Sequence, residues 1–194
     1  MAVLRPQDLD ELVATLKRAG AALRDAEVPF MVGGSLAAWA RGGPAATKDL
    51  DLMLRPEHAE TALGVLEGIG LRGERPPEGW LLKAWDGDVL VDLIFRPTGF
   101  PVDDALFERA EKLRVQSMEL CVMALEDMLT SQLLALDEHY LDYGKLIAIA
   151  RALREQIDFD AVRRRTAESP FARAFFIITD GLGITASEEV PAAR

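Results

Sequence analysis

The sequence has little cysteine, a shortage of positive charge and no long apolar run, and each shortage removes a class of protein. Cys121 is the single cysteine among 194 residues, so no disulfide can close within the chain. Set in Leu120-Cys121-Val122-Met123, it reads as a buried structural thiol rather than a nucleophile. No apolar stretch reaches the roughly 18 residues of a membrane span, and Arg5, Asp8 and Asp10 do not match a secretory leader, so the expected setting is the cytoplasm. Lys and Arg number 22 against 32 Asp and Glu, a formal net charge of -10. That balance argues against a surface gripping nucleic acid over its whole extent, because affinity for a phosphate backbone comes from basic side chains. A local basic site stays open: Arg163-Arg164-Arg165, with Arg151, Arg154 and Arg173 nearby, is either such a patch or a solvated helix face. Fixed-period repeats and low-complexity tracts are also missing.

What is present is an ordinary globular composition, 49% hydrophobic and 28% charged. The length suits one domain, or a catalytic core carrying a helical extension. Leu9, Leu12, Val13, Leu16 and Leu23 recur at helical spacing, which predicts an opening amphipathic helix over residues 7–26. A short apolar run, Val28 to Val32, reads as a strand stopped by Gly33-Gly34, with Ser35 placed to cap a helix through Ala40. Lys48 to Leu54 alternates acidic and apolar residues as a strand does, and a helix is expected from Pro56 to Ile69, ended by Gly70. Trp80–Trp85 and Val89–Phe95 flank Asp86-Gly87-Asp88 as a hairpin. Beyond Pro101 the chain is expected to be mainly helical, over 125–136, 141–154, 161–166 and around Phe175–Ile178. The reading is an α+β protein: a mixed α/β core over residues 1–120 and a helical region over 121–194.

The chemistry concentrates in three carboxylates and one glycine turn. Asp49 and Asp51, two apart on a strand, share a face with Cα atoms about 6.6 Å apart. Like charges held that close call for a compensating cation, and Mg2+, a hard ion that takes a few carboxylates plus substrate phosphates, fits the need. Asp92, in the apolar run Val89 to Phe95, completes the set if its strand lies beside the first; it would then be a second metal ligand or the general base for an attacking hydroxyl. Gly33-Gly34 permits close backbone approach to a ligand, and Ser35 adds a hydroxyl for phosphate. This turn is not a Walker A loop, since no Gly-Lys-Ser/Thr follows, nor a dinucleotide fingerprint, since the third glycine is missing. Lys48 adjoins the first aspartate but points to the other face of an alternating strand, where a phosphate-edge role stays open. Lys145 is the stronger candidate for phosphate, a lone lysine on an otherwise apolar helix.

Gly33-Gly34-Ser35, Thr47-Lys48-Asp49-Leu50-Asp51 and Asp92 together resemble the pattern of the DNA polymerase beta-like nucleotidyltransferase superfamily. That resemblance implies a polymerase-beta-like core, a mixed sheet flanked by helices, followed by a helical bundle. Ala124-Leu125-Glu126-Asp127-Met128, Lys145 and Asp160 are similar to the C-terminal part of AbiEii-like toxins, especially the mycobacterial MenT nucleotidyltransferase toxins. Carried over, Asp49, Lys145 and Asp160 serve the activity, although Asp158 and Asp160 also suit a helix N-terminus. The same resemblance implies Mg2+ and an NTP, CTP or UTP in the main, the 3' acceptor end of tRNA as substrate, and a cognate antitoxin. An antitoxin of kinase type would phosphorylate Thr47, adding roughly 1.5 to 2 negative charges beside the carboxylates. Antibiotic nucleotidyltransferases acting on aminoglycosides or lincosamides share the turn and the carboxylates, and an acidic surface suits cationic drugs.

Overall fold

The computed structural model describes residues 6–44, 46, 49–115 and 118–185. Helix α1 (Pro6–Asp25) opens the chain and fully buries Leu12, Leu16, Ala19 and Leu23, the stripe that the helical period demands. Strand β1 (Met31–Val32) is only two residues long; Val28 and Phe30, expected within it, are buried in the segment leading to it. Helix α2 (Gly34–Trp39) follows at once. Its N-cap is Gly33, not Ser35, because the helix starts two residues earlier and carries Ser35 into the buried first helical turn. Strand β2 (Asp49–Met53) matches the acidic and apolar alternation. The helix expected from Pro56 divides into a 3-10 turn (Pro56–His58) and α3 (Ala59–Gly68), and Gly70, at φ +94°, ends it.

A short strand β3 (Arg72–Glu74) precedes the hairpin of β4 (Leu81–Asp86) and β5 (Val89–Ile94). Asp86 pairs with Val89, so the loop is Gly87-Asp88, with a positive φ of 60° at the glycine, as a two-residue loop led by glycine requires. Beyond Pro101 the chain is mainly helical, as expected, but a second hairpin comes before the helices that start at Leu125. A short α4 (Asp104–Arg109) leads into a second hairpin, β6 (Glu111–Val115) and β7 (Met118–Val122). Cys121 accordingly sits on a strand and is half-buried, its thiol pushed up by partial burial. Four helices complete the described chain: α5 (Leu125–Leu134), α6 (Tyr143–Ala152), α7 (Phe159–Arg165) and α8 (Pro170–Gly181).

The seven strands form one mixed sheet in the order β3-β4-β5-β2-β1-β7-β6. β2 runs parallel to β5 and antiparallel to β1, which is parallel to β7. Helices α1 and α3 pack on β2, β4 and β5, the strands whose inward residues Leu50, Leu52, Ala84, Val91 and Leu93 are fully buried. By strand alternation Asp49, Asp51 and Asp92 take the opposite face. α5 packs against α2, α7 and α8, and the buried apolar residues form one continuous cluster from Leu12 to Phe176. None of the described helices is long and apolar enough to cross a membrane.

Candidate active site

The parallel register of β2 and β5 sets Asp51 directly beside Asp92, and Asp49 beside Leu90. Adjacent strands lie about 4.8 Å apart, so two carboxylates far apart in sequence become neighbours. On the far side of Asp92, Lys83 of β4 stands opposite it. On the far side of Asp51, the glycine turn closes in: the Gly33 N–H donates to the Asp51 carbonyl at 2.8 Å. Gly34 then adopts φ +54°, and a Cβ there would lie 2.6 Å from Asp51 Cγ and overlap Oδ2. Both conformation and space therefore require glycine at 34. The turn and the carboxylate form one packed unit.

These surroundings disfavour charge on the carboxylates. Burial raises the Asp51 pKa to about 6, with the Lys145 ammonium pulling it down and Asp49 pushing it up. Burial and then the Asp51 charge raise Asp92 to about 7, against the opposing pull of Lys83. Asp92 Oδ1 is buried with no hydrogen-bond partner, an arrangement that costs free energy unless something arrives to use it. Among the described residues no group of three His, Cys, Asp or Glu makes a ready cage for a metal ion. Mg2+ needs no such cage, since it keeps waters and takes one or two carboxylates together with substrate phosphates. An unsatisfied buried acceptor, a second carboxylate in register with it and an exposed third at Asp49 fit that mode of binding.

A cavity of about 350 Å³ opens over this unit. Gly34, Asp51 and Met53 form its floor; Lys145 and Asp137 line it from the helical side; Met123, Met128, Ser131, Gln132 and Ala135 come from the start and one face of α5; Trp80, Ile94, Pro97 and Thr98 come from the end of the β4–β5 hairpin. Lys145 owes its position to its helix. Asp142 caps α6 by accepting from the Lys145 N–H at 3.2 Å, and the Tyr143 hydroxyl donates to the Phe171 carbonyl at 2.9 Å, tying α6 to α8. The lysine is half-buried and close enough to Asp51 to shift its titration.

The remaining sequence candidates divide. Asp49, Asp51, Asp92, Gly33, Gly34 and Lys145 come together, and Ser35 lies buried in the first turn of α2 beside them. Asp160 does not join them: it is exposed in the first turn of α7, outside the residues lining the cavity. Its neighbour Asp158 caps that helix, accepting from the Ala161 N–H at 2.9 Å. Thr47 and Lys48 fall outside the described residues. Two of the three clustered arginines are engaged by the protein's own carboxylates. Arg163 donates to Asp180 at 2.8 Å and sits over Phe176, while Arg165 donates to Asp127 at 2.6 Å; Arg164 and Arg165 are both exposed. Asp127, almost fully buried, also accepts from Arg109 at 2.8 Å, joining α4, α5 and α7. In the sequence Asp127 stands out only as part of a motif, and Gln132 and Trp80 do not stand out at all. The spacing 128, 131, 132, 135, a helical stripe holding two polar residues, is the signal that marks α5 as lining something.

Comparison with known proteins supports the architecture. A comparison with curated proteins finds no match. Among solved structures, the chain is similar to the solution structure of the antibiotic-resistance factor ANT(2'')-Ia, at 15% identity and a TM-score of 0.65, covering 91% of this chain and 98% of that one. A crystal structure of ANT(2'')-Ia in complex with adenylyl-2''-tobramycin aligns at 16% identity and a TM-score of 0.62, covering 84% and 98%. An antigenic nucleotidyltransferase-like protein from Paracoccidioides brasiliensis aligns at 14% identity and a TM-score of 0.54, covering 92% and 94%. Identities this low speak for the fold, a mixed sheet flanked by helices with further helices at the C-terminal end. A family model described as uncharacterised nucleotidyltransferase matches residues 10–180. With nearly the whole described chain inside that match, the protein belongs to this nucleotidyltransferase family and is a transferase enzyme.

Proposed function

We propose that this enzyme transfers nucleotides from a magnesium-bound NTP, CTP or UTP in the main, to the 3' acceptor end of tRNA, and so acts as the toxin of a toxin–antitoxin pair. The observation that supports nucleotidyl transfer is the meeting, across one cavity, of Lys145 with Asp51, itself backed by Gly34 and registered against Asp92. In the proposed step an acceptor hydroxyl oxygen bonds to the α-phosphorus, the bond to pyrophosphate breaks, and the hydroxyl proton passes to Asp92. Lys145 offsets the charge that builds on the phosphates, and Gly33-Gly34 lets the triphosphate approach the backbone. Mg2+, held by Asp49 and Asp51 with Asp92 as a further ligand, would neutralise the triphosphate and polarise the reacting phosphoryl group.

The acceptor is drawn from the resemblance of Ala124–Met128 and Lys145 to the toxin group, which also makes Thr47 the position for an antitoxin kinase. Asp160 has no part in the proposed step, because it is exposed in the first turn of α7, a helix that carries none of the carboxylates in register on β2 and β5 and none of the cavity lining. A second reading, an aminoglycoside or lincosamide nucleotidyltransferase, is favoured by the pairing of Arg163 and Arg165 with Asp180 and Asp127 together with a net charge of -10. Such a surface attracts a cationic small molecule better than a polyanion. Incubation with each labelled NTP, Mg2+ and total tRNA decides between them. Labelled tRNA and growth arrest on expression support the toxin, whereas unlabelled tRNA with drug resistance on expression supports the second reading.

A further inference from the structure

We infer that Gln132 reads the nucleobase of the incoming nucleotide. The inference rests on the proposal that this cavity is the nucleotide site. Gln132 Oε1 is buried without a hydrogen-bond partner, although the side chain borders the cavity. A buried amide oxygen left unsatisfied on a side chain that borders an open space is an arrangement that a ligand can complete. Its surroundings fit a flat, mostly apolar ring with a polar edge: Met123 and Met128 offer polarizable, adaptable surface, and Ser131 adds a hydroxyl one residue away. A glutamine amide carries both a donor and an acceptor, the pair needed to distinguish amino from carbonyl groups on a base edge.

The sheet order sets where the helix of Gln132 starts relative to the carboxylates. From Asp92 on β5 the strands run to β2 with Asp51, then β1 with its glycine turn, then β7, from which Met123 leads into α5. The helix that carries Gln132 thus starts beyond the glycine turn, on the side of Asp51 away from β5. With Asp92 as the base, the acceptor hydroxyl lies toward β5, where Trp80 and Pro97 line the cavity. In-line displacement fixes only the pyrophosphate opposite that hydroxyl, so the nucleoside projects sideways from the phosphorus, and Gln132 is an unsatisfied group bordering the cavity for its base to meet.

The test measures binding of inorganic tripolyphosphate and of the four α,β-methylene NTP analogues, each with Mg2+, to the wild type, Gln132→Leu and Gln132→Glu. We expect the wild type to rank the four analogues, and Gln132→Leu to flatten the ranking by weakening the preferred one about 10- to 100-fold. Tripolyphosphate, which has no base, should bind both equally. Gln132→Glu, with acceptors only, should shift preference away from uracil and toward adenine, cytosine and guanine, whose edges carry amino groups. A ranking unchanged in both variants, or four analogues bound equally by the wild type, overturns the inference and leaves the nucleotide site standing. A wild type that binds neither tripolyphosphate nor any analogue overturns the site itself. Should Gln132→Leu lose tripolyphosphate as well, the Gln132→Glu ranking decides alone: reordered supports the inference, unchanged overturns it.

Discussion

Replacing Gly34 with alanine probes the contact between the glycine turn and Asp51, and two terms set its effect. The first is conformational. At φ +54° a residue with a Cβ costs about 1–2 kcal/mol relative to a favoured conformation. The second is steric: the new methyl group would overlap Asp51 Oδ2, so the carboxylate must withdraw or the turn must open. Together they predict a loss of about 2–4 kcal/mol, or roughly 5–15 °C in Tm for a chain of this size. Activity should fall further than stability, because a misplacement of about 1 Å at a reacting centre costs about 100-fold in rate. Gly64 supplies the control, being exposed within α3 with open space for 4 Å around the position a methyl group would take; Gly64→Ala should stabilise by about 0.5–1 kcal/mol. Thermal unfolding and single-turnover transfer from labelled NTP read both quantities. If Gly34→Ala keeps wild-type Tm and activity within a few-fold, the close packing of turn and carboxylate is refuted.

Four further outcomes follow from the same geometry. With Asp51 titrating near 6 and Asp92 near 7, protons compete with a cation for both groups. Lowering the pH from about 8 to about 5 should weaken Mg2+ binding about 100-fold or more, as calorimetry can measure; a flat profile counts against these two ligands. Without metal the sign reverses. The folded state holds protons that the unfolded chain releases above its lower pKa, so stability should fall as pH rises from about 4 to about 7, and a rise over that window would contradict the burial described. Asp127→Ala should lower stability by about 2–3 kcal/mol, less than for a fully buried pair because Arg109 and Arg165 keep side-chain exposures of 48% and 35% and can rehydrate; denaturant unfolding tests it, and a change under about 0.5 kcal/mol would contradict the role given to this junction. Asp160→Ala should leave transfer within about twofold and stability within about 0.5 kcal/mol, as for other exposed positions, whereas a loss of about 100-fold would return Asp160 to the reaction.

The legible parts of the sequence were those whose signals are local. Asp49-Leu50-Asp51-Leu52 announces a strand with one acidic face, Gly87 supplies the hairpin loop, and Lys145 is conspicuous on an apolar helix. The segments that escaped notice are at the margins of the sheet. β3 is three residues long with Arg72 and Glu74 exposed, and β6 exposes Glu111, Lys112 and Arg114, so neither carries an apolar alternation to read. β7 was hidden with its partner. The pairing of Asp51 with Asp92 depends on β2 lying beside β5 across an intervening helix and two strands, which no local pattern encodes. The fate of Arg163 and Arg165 depends likewise on carboxylates contributed by α8 and α5. A run of basic residues looks the same whether it faces nucleic acid or the protein's own acids.

The central claim is transfer of a nucleotidyl group at the Asp51 and Asp92 pair, and the position of the label tests it most directly. Wild type and Asp51→Asn are incubated with Mg2+ and total tRNA, using NTP labelled in turn at the α- and the γ-phosphate. The α label should become attached to tRNA, the γ label should leave in pyrophosphate, and Asp51→Asn should transfer neither. Label retained on tRNA from the γ position, or undiminished α transfer by Asp51→Asn, would contradict it.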